Sequence, residues 1–227
     1  MSIRLPFMLS SFHSMSTPIK ALLFDFGRVL CFFDRVKAMR LILEHSTLSV
    51  TPESLDAELF TLDGLGTKFE SGLLTKDEFF SQLKEQYQIS DDLAFEVFAK
   101  SWSEIFDEVP GVRTLIETIP PEIQRGILSN IDPIHWSSAK ELGVIKTFDQ
   151  RLVIKSFEQI TRKPDARMYA AAMSAFNVPA ENILYLDDIQ EYVDTARGLG
   201  LNAEKFDARS MTHDDMRQIF VSYGILS

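Results

Sequence analysis

Seven residues in four separated stretches could act on one ligand: Asp25 and Gly27 in FDFGRVL, Ser129 and Asn130 in LSN, Lys163 in RKPD, and Asp187 with Asp188 in YLDD. Together they offer three carboxylates, a hydroxyl, an amide and an ammonium. Hard carboxylate oxygens suit Mg²⁺, which keeps several of its waters and binds substrate phosphate. A carboxylate beside such an ion can attack phosphorus and form an aspartyl phosphate. Taken singly, these residues carry little. An aspartate after an apolar run more often caps a turn or a helix, Ser129 alone is an ordinary turn serine, and Lys163 alone is a solvated surface charge. The chemistry depends on the chain bringing them to one place.

The elements that would do so are legible. Residues 19–26 (IKALLFDF) form a short apolar run ending in Asp25, the pattern of a buried parallel strand. Similar runs lie at 126–128, 151–154 and 183–186, with a weaker fifth at 201–206. Helical patterns at 111–119, 134–142, 165–176 and 189–199 separate them. Strand alternating with helix predicts an α/β fold with a doubly wound parallel sheet. Open α/β sheets bind ligands at the carboxyl ends of their strands, and the candidate residues fall at or just past those ends.

The interval between the first two strands is too long for one crossover helix. Residues 34–107 read as several amphipathic helices with no convincing strand. Thr51-Pro52 marks a helix start, Thr75 to Glu78 a capping box, and Ser90-Asp91-Asp92 the start of another helix. The predicted organisation is therefore an extension at 1–16, an α/β core at 17–33 and 108–227, and a helical cap at 34–107.

Composition narrows the partners. A formal net charge of −10 and the lack of a basic stripe argue against nucleic acid. No apolar run reaches membrane-spanning length. A small phosphorylated molecule remains compatible if a metal and a lysine concentrate positive charge locally. Cys31 is the single cysteine, so no intramolecular disulfide forms, which fits a reducing, cytoplasmic compartment. The thiol reads as buried and inert. Residues 1–16 hold Arg4, several serines and no acid, which leaves organelle targeting as the alternative to a plain mobile extension.

The stretches FDFGRVL, LSN, RKPD and YLDDIQEYVDTARGLG resemble, in order, the four motifs of the haloacid dehalogenase superfamily. The resemblance runs from residue 19 to the C-terminus and likens 34–107 to that family's inserted helical cap. It implies Asp25 as nucleophile and metal ligand, and the Gly27 carbonyl as a second ligand. Ser129 and Asn130 would bind phosphoryl oxygens, and Lys163 would neutralise charge shared by phosphate and Asp25. Asp188 would bind Mg²⁺, with Asp187 holding a metal-bound water or ligating too. The implied activity is Mg²⁺-dependent hydrolysis of a small phosphorylated metabolite.

One position departs from that pattern. Most phosphatases of the superfamily carry a second aspartate two positions after the nucleophile, as general acid and base. Gly27 stands there instead. The loss favours good leaving groups, and diphosphates among them. Asp187-Asp188-Ile189-Gln190-Glu191 also spells D-D-x-x-E, and SNIDPIHW is similar to the haloacid-dehalogenase-like domains of fungal drimane-type terpene synthases and associated phosphatases. Isoprenoid diphosphate chemistry is thus the first alternative, and a weakly active binding protein the second. Among the aromatics, Phe32, Phe33, Phe60, Phe69, Phe79 and Phe80 suit a cap core with one or two rings facing the site. His135 and Trp136 read as packing or rim residues.

Overall fold

The computed structural model describes residues 18–227. The extension at 1–16, with its targeting alternative, lies outside the described residues. Along the chain, β1 (Ala21–Phe24) and β2 (Cys31–Phe33) precede helices α1 (Val36–Glu44), α2 (Pro52–Leu59), α3 (Leu65–Glu70), α4 (Lys76–Gln86) and α5 (Phe95–Ser103). The chain returns through β3 (Phe106–Glu108), α6 (Val112–Glu117), β4 (Gln124–Ser129) and α7 (Pro133–Ala139). It continues with β5 (Val153–Lys155), α8 (Ser156–Gln159), α9 (Ala166–Phe176) and β6 (Ile183–Asp187). Helix α10 (Gln190–Gly198), β7 (Asn202–Lys205) and α11 (His213–Ser222) complete it.

Strands pair in parallel in the order β5-β4-β1-β6-β7. The chain winds outward from β1, first to β4 and β5, then to β6 and β7. The reversal therefore falls beside the carboxyl end of β1, where doubly wound sheets bind ligands. Register sets the site: Phe24 lies level with Ile127 and with Leu186, so Asp25 and Asp187 leave neighbouring strands at one height.

Every β1 residue is fully buried because both sheet faces are covered. Leu22, Phe24, Leu184 and Leu186 pack on one side with residues of α6 and α11. Ala21, Leu23, Ile183 and Tyr185 pack on the other with residues of α9 and α10. The helices between β2 and β3 bury a cluster of their own around Phe69, Phe79, Phe98 and Trp102, which takes only Ile134 from beyond them.

Thr51 and Thr75 cap α2 and α4 as their sequences predict, the latter through a reciprocal capping box with Glu78. Two expectations change. Helix α5 begins at Phe95, not at Ser90. Ser90 instead accepts the Asp92 amide through its side chain and donates its own amide to His45, making a turn rather than a helix cap. Second, β2 and β3 form an antiparallel ribbon pairing Cys31 with Glu108 and Phe33 with Phe106. The two ends of the helical segment thus leave the core side by side. Strands of three residues are too short to show a period of two. The Cys31 thiol is buried, and burial, then Asp25, pushes its pKa well up, which keeps it an unreactive thiol.

Candidate active site

Asp25 follows the last residue of β1 and its side chain is about nine-tenths buried, with 11% exposed. Lys163 lies in the loop between α8 and α9, wholly buried, and spreads its ammonium over three acceptors. Its Nζ donates to Asp25 Oδ1 at 2.5 Å, Asp187 Oδ2 at 2.8 Å and the Tyr185 hydroxyl at 3.1 Å. The loop is fixed by Asn130, whose Oδ1 accepts the Lys163 amide at 2.8 Å and whose Nδ2 donates to the Lys163 carbonyl at 3.2 Å. A lysine this deep needs such partners, since an unpaired buried ammonium would simply lose its proton. The neighbouring carboxylates outweigh burial here and raise its pKa, so the charge is kept.

Asp187 is saturated by protein donors. Its Oδ1 accepts the Ile189 amide at 2.8 Å, and its Oδ2 takes both Lys163 and a short bond from the Tyr185 hydroxyl. These contacts make it the group that aims Lys163. Asp188, one residue on, opens to the cavity and meets Arg28 Nη1 at 3.3 Å. One carboxylate oxygen from each of Asp25, Asp187 and Asp188 lies within 4.8 Å of the others.

Charge does not balance within this cluster. Three carboxylates crowd one buried ammonium, and Asp188 also meets two partly exposed guanidiniums, Arg28 at 3.3 Å and, at 4.0 Å, Arg209, which is itself paired to Asp207. Burial foremost, opposed by Lys163 and reinforced by Asp187 and Asp188, raises Asp25 to about 7. Burial, then Asp187, raises Asp188 as well. A divalent cation seated between Asp25 and Asp188 would relieve this repulsion, and their oxygens are the hard donors that Mg²⁺ prefers.

A cavity of about 270 Å³ opens over the cluster, and Asp25, Gly27, Ser129, Asn130, Lys163 and Asp188 all line it. Of the seven candidate site residues, Asp187 alone stands behind the wall. Residues that sequence reasoning did not single out complete it: Arg28, Arg35, Glu70, Arg162 and Tyr192. Arg28 adopts φ 59°, rare for a residue with a side chain, which turns the chain sharply after Gly27. Arg162 directly precedes the predicted Lys163, and that adjacency was the only sequence signal for it. The guanidiniums of Arg28 and Arg35 both lie over the ring of Phe33, 5.1 and 5.2 Å from its centroid, and Arg35 also covers Phe60 at 3.8 Å. Phe33 and Phe60 both line the cavity, so two of the flagged rings do face the site.

Residues 70–204 match the family described as haloacid dehalogenase-like hydrolase. That span is more than half of the chain. This protein belongs to the haloacid dehalogenase-like hydrolase family. Three of the four motifs of this haloacid dehalogenase-like hydrolase fall inside the match, and the Asp25 motif precedes it. The chain is 26% identical over 151 residues to Phosphatase MT3486 of Mycobacterium tuberculosis, covering 66% of this chain and 69% of that one. Its fold matches the family enzyme BT-2542 of Bacteroides thetaiotaomicron at TM-score 0.73 and 20% identity, over 88% of this chain and 99% of that one. BT-2542 has also been solved in complex with magnesium and inorganic phosphate. A predicted haloacid-dehalogenase-like hydrolase of Porphyromonas gingivalis matches at TM-score 0.73 and 20% identity, over 90% and 98% of the two chains.

Proposed function

We propose that this hydrolase is a Mg²⁺-dependent phosphatase of small phosphorylated metabolites, working through an aspartyl phosphate on Asp25. The observation that carries this reading is the buried Asp25–Lys163–Asp187 network opening onto a cavity that Asp188 also lines. It is a nucleophile paired to a fixed cation, beside a second carboxylate with a raised pKa. The phosphatase relative and the magnesium and phosphate complex of BT-2542 support it.

In this reading Asp25, the Gly27 carbonyl and Asp188 would hold the ion, which when bound supplies charge neutralisation at the phosphoryl oxygens. Asp25 attacks phosphorus in line with the departing ester oxygen. Lys163 holds that carboxylate in place and neutralises charge that accumulates on the transferring group. Ser129 and Asn130 orient the phosphoryl oxygens from the β4 side. Substrate size follows from the cavity. At about 270 Å³ it sits near the lower end of ligand pockets, roughly 300–1,000 Å³, and so suits a compact metabolite better than a long isoprenoid.

The test is phosphate release from sugar phosphates, nucleotides and prenyl mono- and diphosphates, with Mg²⁺ and with EDTA. Wild type is expected to turn over a compact phosphate only with Mg²⁺, and Asp25→Asn to lose about a thousandfold or more. Full activity in EDTA, or in Asp25→Asn, contradicts the proposal. Selective turnover of prenyl diphosphates moves the protein to the isoprenoid alternative.

A further inference from the structure

The proposed reaction lacks a proton carrier at the usual position, and the fold closes that position. A Cβ on Gly27 would lie 2.8 Å from Phe33 Cε1, and the Arg28 and Arg35 guanidiniums both pack on that ring. The space a carboxyl at residue 27 would need is aromatic ring.

Across the cavity stands a group that the mechanism above does not use. Asp132 caps α7, accepting the Ile134 and His135 amides through Oδ1 at 2.8 and 2.9 Å. Its Oδ2 accepts the Trp102 indole N–H at 3.0 Å and meets His135 Nδ1 at 2.5 Å. Burial alone would raise the pKa of Asp132; the facing imidazole, with the indole and backbone N–H groups, brings it below the ordinary range. A carboxylate can only accept, so His135 Nδ1 carries a proton and Nε2 is the free face of the ring. His135 is 4% exposed, yet Nε2 has no hydrogen-bond partner among the described residues. The ring is clamped between Trp102, stacked at 5.2 Å, and Phe106, edge-on at 5.5 Å. It lines the same cavity as Asp25 and Lys163.

A buried nitrogen left unpaired is costly. An Asp–His pair that fixes one nitrogen and presents the other to a substrate is the arrangement that orients a general acid or base. We propose that His135, positioned by Asp132, is the catalytic acid and base that replaces the carboxyl missing at Gly27. This rests on the phosphatase reading.

In the first step Asp25 bonds to phosphorus as the ester P–O bond breaks. That bond's electron pair stays on the leaving oxygen, which takes the Nε2 proton of a His135 that enters the step as the imidazolium. Neutral His135 then accepts a proton from water as the water oxygen attacks phosphorus. The bond to Asp25 breaks, the carboxylate regains its electrons, and phosphate leaves. Other charged groups set the ring's field: Glu70 from α3, with Arg162 at 3.4 Å, and Arg35 preceding α1. Asp25 and Lys163 line the same cavity.

A leaving-group comparison separates a proton donor from a packing residue. Turnover of p-nitrophenyl phosphate, whose leaving group needs no proton, and of glycerol phosphate, whose leaving group does, is measured against pH. His135→Gln should lose about a hundredfold or more on glycerol phosphate and less than about threefold on p-nitrophenyl phosphate. The alkaline limb of kcat/KM for glycerol phosphate should vanish with it. In His135→Ala, added imidazole should restore glycerol phosphate turnover. Equal losses on both esters without imidazole rescue make the ring structural and overturn the assignment, as does unchanged glycerol phosphate turnover. A wild type inert toward these esters and toward every sugar phosphate and nucleotide removes the phosphatase reading, and this assignment with it.

Discussion

At the scale of single residues, burial alters what the sequence suggests for Lys163. Read as a solvated side chain that the motif recruits, it invites replacement by methionine at little cost in stability. In the structure its ammonium is the buried counterion of both Asp25 and Asp187. Removing one partner of a buried pair strands the other, at about 3–5 kcal/mol. Lys163→Met should therefore lower stability by that order as well as cutting turnover at least about a hundredfold. Denaturant melts and phosphate release on the same preparation check both, and an unchanged melt with full turnover contradicts the network. Gly27 changes likewise. Gly27→Asp, attractive on sequence as a restored acid, drives its Cβ into Phe33 and should cost about 1–3 kcal/mol without selectively raising alkyl-ester hydrolysis. A stable Gly27→Asp with raised alkyl-ester turnover would show that Phe33 yields. Residues tied to a strand end, such as Asp25, Ser129 and Asp188, were legible because type and element agree. Arg28, Arg35 and the role proposed for His135 were not, because these arise from who stands opposite. In sequence, SNIDPIHW shows an aspartate three positions before a histidine, but nothing shows that Trp102 and Phe106 will clamp that ring.

At the scale of elements, the strands and helices of the core were readable because apolar runs and periods persist over enough residues. The β2–β3 ribbon was not, and α11, capped by Thr212 and Asp215, went unremarked for want of any chemistry. Docking of the helical segment on the core is the part that sequence hides most fully. Ser156 at the start of α8 donates to the Glu70 carbonyl at 2.5 Å and accepts the Ile131 amide at 2.9 Å, joining α3 to the loop after β4. Just beyond α3, Gly72 holds φ 70°, and a Cβ there would lie 2.2 Å from the Phe157 carbonyl oxygen. Backbone meets backbone at that point, so the contact cannot be relieved by a rotamer. Gly72→Ala should destabilise by at least about 1 kcal/mol through the left-handed conformation alone, and more through the clash. Because Glu70 and Arg162 pair across this junction on the cavity wall, KM should rise as well. A Gly72→Ala protein with wild-type melting and KM would show that α3 can leave α8 without consequence.

At the scale of the whole molecule, the acidic chain and its acidic site make stability, metal and pH one linked quantity. Asp25 is raised from the ordinary 3.8 to about 7 by burial foremost, with Asp187 and Asp188 adding to it. Between those values the folded protein holds a proton that the unfolded chain has released, so metal-free stability falls as pH rises. That contribution is fully present below pH 3.8 and is lost as pH passes about 7. Mg²⁺ held as proposed would bind the ionised site and compete with the same proton, so its apparent affinity should climb with pH up to about 7 and then level. Binding to the folded state alone adds about 2.7 kcal/mol at a hundredfold excess over Kd, or roughly 5–11 °C in Tm for a chain of this size. Thermal melts at a fixed, subsaturating Mg²⁺ concentration should therefore show a larger Mg²⁺ shift at pH 8 than at pH 5.5, reversed by EDTA. Asp188→Asn should remove most of the shift at both pH values. Asp25→Asn should weaken it and flatten its pH dependence, leaving only the part that the raised Asp188 supplies. A Mg²⁺ shift that is the same at both pH values in wild type would mean that the ion sits away from Asp25, and the acidic cluster would then be only the frame that holds Lys163.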